Sequence, residues 1–94
     1  MPIGLLTLHL RLPGCGSLKE KRSRLKPLLA RLHREFNVSS AEVDLLDVWQ
    51  ETVVACAVVS NDSRHNDRLL QNIVDWVERD WPDVDVIAEH LEMI

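Results

Sequence analysis

Residues 52–59, TVVACAVV, are apolar at every position after the first and rich in β-branched side chains. The run is too short for a core helix. It ends in the turn-forming cluster Ser60-Asn61-Asp62-Ser63. Such a segment is a strand with both faces at least partly covered, which places it at the centre of a sheet. The other run of this kind is 3–12, IGLLTLHLRL, which Pro13-Gly14-Cys15-Gly16 stops.

Between these two central strands, Ser17-Leu18-Lys19-Glu20 has the spacing of a capping box: Ser17 accepts from the Glu20 amide and the Glu20 carboxylate returns to Ser17. A helix is predicted from about Leu18 to Glu35 or Phe36. Its core stripe is Leu18, Leu25, Leu28, Leu29, Leu32 and Phe36, with Pro27 on the solvent side. Residues 38–50, VSSAEVDLLDVWQ, mix apolar and acidic side chains and predict an edge strand, turning near Gln50-Glu51. After the third strand a second helix is expected to about Asp80, with Leu69, Leu70, Ile73, Val74 and Val77 inward and Pro82 beyond it. A last strand covers 84–93, where the alternation falters between Ala88 and Leu91, as at a β-bulge.

The order βαββαβ with two βα units predicts an α+β, ferredoxin-like sandwich: a four-stranded antiparallel sheet with two helices on one face. In that layout strands one and three are central, and they are the two most apolar runs. Ninety-four residues make one domain, 1–94. The 46% hydrophobic and 28% charged fractions exclude a disordered chain. No apolar run reaches the ~18 residues of a membrane helix, and the start lacks signal-peptide features. The expected location is the cytoplasm, away from membranes. Two cysteines outside any CxxC pair fit a reducing compartment, with Cys56 a buried hydrophobe and Cys15 in an exposed loop.

Two helices cover only one sheet face, yet the third strand is apolar on both. The first strand adds Leu5 and Thr7 to the uncovered side. A homodimer through that open face is therefore expected.

The formal net charge of -4 is unevenly divided. Residues 1–34 carry eight basic side chains and one acidic, a net +7; residues 35–94 carry three basic and fourteen acidic, a net −11. The basic half centres on the predicted first helix. Ser17, Lys19, Lys21, Arg22 and Lys26 form a candidate anion- or RNA-binding set beside the free N–H groups of a helix start. The competing arrangement lays the Lys21 and Arg22 stems over the core edge and pairs their heads with Glu42 or Asp44. Lys19, Lys26 and His33 recur down one flank of the helix, and Arg24 and Arg31 down the other.

The histidines His9, His33, His65 and His90 show no HExxH or HxH spacing, and no cofactor or metal is expected. His9 and His90 become neighbours if the first and last strands pair. Trp49, on the expected edge strand, could stack on a base but lacks the paired aromatics of an RNA-recognition sheet.

Ser-Leu-Lys-Glu-Lys-Arg at 17–22, Asn37-Val38-Ser39, Ala41-Glu42-Val43-Asp44, Trp49-Gln50 and Val58-Val59-Ser60-Asn61-Asp62 resemble the YlxP-like family of small bacterial proteins. The likeness runs in order over nearly the whole chain. It implies the same ferredoxin-like domain, supplies no catalytic residues, and suggests a translation-linked role, because genes of the family often lie beside those for translation initiation and ribosome maturation. The favoured reading is a non-enzymatic interaction module whose basic first helix meets RNA, a ribosomal surface or an acidic protein. Two rivals remain. Acylphosphatases share the strand order and hold phosphate in the first strand–helix loop, but here Cys15 and Gly16 stand where that family's loop has an arginine, and Asn61 is no obvious partner for water. The other rival is a small-ligand regulatory dimer.

Overall fold

The computed structural model describes all residues 1–94. The chain runs β1 (Ile3–Arg11), α1 (Leu18–Phe36), β2 (Ser39–Asp44), β3 (Glu51–Val59), α2 (Ser63–Asp80) and β4 (Asp85–Met93). The strands form one antiparallel sheet in the order β2-β3-β1-β4. Its two apolar runs hold the centre, paired from Ile3 opposite Val59 to Arg11 opposite Glu51. This is the expected ferredoxin-like α+β architecture.

Alternation decides which face of each central strand is covered. Leu6, Leu8 and Leu10 of β1, with Val54, Cys56 and Val58 of β3, point beneath the helices and are buried. Leu25, Leu28 and Leu32 of α1 and Leu70, Ile73, Val74 and Val77 of α2 close over them. Each fully buried leucine or isoleucine stabilises the fold by about 1.5–3 kcal/mol. Leu29, Phe36 and Leu69 are only partly buried at the margin. The helix continues through Pro27, whose ring is exposed, so its missing N–H and the orphaned Ser23 carbonyl fall on the solvated side.

Two predicted boundaries move. The second strand does not reach Gln50; it ends at Asp44, because Leu45 takes a left-handed backbone (φ 57°) and its N–H is held by Asp44 Oδ1 at 2.7 Å. The turn into β3 is therefore the loop 45–50 rather than a hairpin at Gln50-Glu51. In β4 the bulge lies at Ile87, between the pairs His9–Ala88 and Leu10–Val86. The extra residue switches the parity of the strand, so Val84 and Val86 face the core before it and Leu91 after it. That switch is the faltering seen in the sequence, displaced by a few residues.

Candidate functional site

The helix start is built as its sequence demands, on one side only. Ser17 is extended, and its Oγ accepts the Glu20 N–H at 3.0 Å. The return arm of the capping box does not form: the Glu20 carboxylate turns instead to Arg24, 3.4 Å away. Cys15 is not exposed. It is fully buried, with Sγ donating to the Ser17 carbonyl at 3.4 Å and its own N–H donating to Leu12 O. The loop folds its thiol under the helix start and away from solvent, against the expectation. Cys56 is buried as expected, and desolvation pushes its thiol up to about 12.

Lys21 departs most from the candidate set. Its side chain is buried, and its ammonium donates to Leu45 O (2.7 Å), Val48 O (2.6 Å) and, more distantly, Leu46 O (3.4 Å). It also lies 2.8 Å from Glu42 Oε2, which accepts a further bond from Thr52 Oγ1 at 2.7 Å. An ammonium has three N–H groups, and these acceptors use them all. Lys21 therefore cannot serve as an anion contact. It follows the competing arrangement, with Glu42 as its partner.

The remaining members are free. Lys19, Arg22 and Lys26 are exposed, and none forms an ion pair. Their i, i+3, i+7 spacing sets them along one line of α1, about 10 Å from first to last at 1.5 Å per residue. Arg22 and Lys26 also rim an open groove of about 250 Å³ between α1 and β2, with Leu25 and Leu29 in its floor and Glu42 in its wall. On the opposite flank the arginines are spent. Arg24 binds Asp83 through Nε (Oδ2, 2.9 Å) and Nη2 (backbone O, 2.7 Å) and Pro13 O through Nη1, so its pKa rises, chiefly through the Asp83 hydrogen bond. Arg31 bonds Glu35 and lies over the Trp76 ring, 5.8 Å from its centroid. His33 Nδ1 lies 3.1 Å from Val38 O at the end of the helix.

On the open sheet face, His9 Nε2 meets Glu51 Oε1 at 2.7 Å. The register sets His90 opposite Thr7 and His9 opposite Ala88, so the two imidazoles are offset diagonally across β1 and β4. No group of three or more His, Cys, Asp or Glu side chains is close enough to hold a metal ion. Asn61 follows the end of β3 that pairs with the start of β1, whereas Pro13–Ser17 follows the far end of β1. Along a nine-residue strand this is about 27 Å, too far to act on one phosphate. Trp49 stands half-exposed in the loop 45–50, not on the edge strand where it was expected. No helix is long and apolar enough to cross a membrane.

These features define a ferredoxin-like α+β domain with an unpaired cationic line on its first helix. The family model described as "Protein of unknown function (DUF503)" matches residues 3–91, and the chain belongs to that family. It is 36% identical over 76 residues to the uncharacterized protein YlxP of Bacillus subtilis (strain 168), an overlap of 81% of this chain and 83% of that protein.

Proposed function

We propose that the protein is a non-enzymatic interaction module that docks the phosphate backbone of structured RNA in the translation apparatus through Lys19, Arg22 and Lys26. One observation carries this reading: those three cations lie along one exposed line without carboxylate partners, while Lys21, Arg24 and Arg31 of the same helix are consumed by the fold. Unpaired cations keep their full attraction for phosphate, and a helix-borne line of them can follow a strand of backbone. Ser17 organises the helix start, and Lys21 braces the loop beside it; neither touches the ligand.

The test is fluorescence anisotropy of a labelled structured ribosomal-RNA fragment and an unrelated RNA of equal length. Lys19→Glu, Arg22→Glu and Lys26→Glu together should abolish binding, and Lys21→Met should retain it. Equal binding by the charge-reversed chain would refute the reading. Absence of binding by the wild-type chain at low salt would do the same and turn attention to acidic protein partners.

A further inference from the structure

The loop 45–50 is expensive to build and presents apolar side chains to water. Leu45 holds a left-handed backbone that a branched side chain rarely adopts. The cation of Lys21 is buried to hold the loop carbonyls of Leu45 and Val48. A loop tied down in this way is pre-organised, and what it displays is Leu46, Val48 and Trp49, at 57%, 40% and 50% exposure. On the open sheet face Leu5, Thr7, Val53, Ala55 and Ala57 are each partly shielded by their neighbours, and the exposed valines of the sheet, Val43 (52%) and Val59 (60%), stand apart at the end of β2 and the far end of β3. The loop is where three exposed large apolar side chains, one of them a tryptophan, fall within four consecutive residues. A half-exposed tryptophan on a rigid loop is the kind of group that dominates protein interfaces.

The chemistry around the loop specifies its counterpart. Asp44 and Asp47 flank the apolar side chains, and Asp47 has no cationic partner. The complement is an apolar recess rimmed by cations, and the same molecule carries one. The groove between α1 and β2 has Leu25 and Leu29 in its floor and Arg22 and Lys26 on its rim. Its single acid, Glu42, is already neutralised by Lys21. At about 250 Å³ it has room for an indole, since a cavity of about 150 Å³ takes a benzene ring. No residue of the loop lines the groove of its own chain, and Lys21 holds the loop backbone in that position.

We infer that the protein self-associates by seating the Leu46–Trp49 loop of one copy in the Arg22–Lys26 groove of a second copy. Each copy offers one loop and one groove, and in a two-fold dimer the two contacts form at once, whereas head-to-tail pairing would continue past two copies. This does not rest on the RNA reading and competes with it, because the partner's loop covers Arg22 and Lys26; the test is made without RNA, so the two fail separately.

Sedimentation velocity of the pure chain from about 1 to 100 μM should show a monomer–dimer equilibrium. Trp49→Ser should weaken it by about tenfold or more, as loss of an aromatic anchor does. Asp47→Lys alone, and Arg22→Glu with Lys26→Glu, should each sediment as monomers. Mixing the Asp47→Lys chain with the Arg22→Glu/Lys26→Glu chain should restore a dimer, because both loop–groove contacts are then of opposite charge. All these positions are exposed, and circular dichroism checks that each variant is folded. A wild-type monomer throughout the range would overturn the inference, as would a mixture that stays monomeric. A dimer untouched by Trp49→Ser but dissolved by Ala55→Lys would place the contact on the open sheet face instead, and would also overturn it.

Discussion

Replacing Lys21 by methionine keeps most of the stem and removes only the ammonium. The stem continues to fill its place on the buried side of α1, so the change isolates the buried charge. It leaves Leu45 O and Val48 O without their donor and the Glu42 carboxylate with Thr52 alone. Breaking a buried ion pair from one side costs about 3–5 kcal/mol. Glu42 is 19% exposed and keeps the Thr52 bond, which places the loss near the lower end, about 3 kcal/mol. At a urea m-value of about 1.5 kcal/mol/M, the unfolding midpoint should fall by about 2 M. Adding Glu42→Leu with Thr52→Val removes the stranded charge together with the hydroxyl that donates to it, and should recover part of the loss, leaving about 1–2 kcal/mol for the orphaned carbonyls. Lys19→Met, on the exposed line, should stay within about 0.5 kcal/mol of wild type. If Lys21→Met costs less than about 1 kcal/mol, the loop is not held by that ammonium and the reasoning from its contacts is wrong.

Two further outcomes follow from the packing. Gly4 sits on the core side of β1, where an added Cβ would lie 2.8 Å from Leu70 Cδ1 and 3.3 Å from Asn66 Cβ, so Gly4→Ala should cost about 1–3 kcal/mol in chemical denaturation. The Cys56 thiol keeps its proton to about pH 12 when folded, against 9.0 for the free group. Across that window the unfolded chain binds fewer protons, so stability conferred by the neutral thiol is complete below pH 9.0 and lost as pH rises toward 12. The fall should approach about 1.4 kcal/mol per pH unit, and Cys56→Ala should flatten it by that amount; parallel curves for the two chains would contradict the burial.

The central strands and both helices could be read from sequence because each writes its own periodicity. Leu6, Leu8 and Leu10 alternate, and Leu25, Leu28 and Leu32 recur at helical spacing, whatever packs on them. The strand β2 could not be bounded in this way, since Leu45 and Leu46 continue an apolar pattern while the backbone turns at Leu45. The β4 bulge left a change of parity between Val86 and Leu91 without marking the residue that caused it. Lys21 was legible as a cation but not as a buried one. It lies three residues after Leu18, four before Leu25 and seven before Leu28, on the buried stripe itself, and that spacing was the available signal. The acceptors that receive it come from a loop 24 to 27 positions away, which no local pattern announces. Cys15 is hidden for the same reason: its burial depends on how the loop folds back beneath the helix start.

The most direct test of the cationic line is the salt dependence of RNA binding. Three phosphate contacts predict a log–log slope of about −2 to −3, the lower figure applying to single strands. The slope should vanish along with binding in the Lys19→Glu/Arg22→Glu/Lys26→Glu chain and survive in Lys21→Met. A wild-type slope near zero, or one that the triple reversal leaves unchanged, would mean that these three side chains do not meet phosphate.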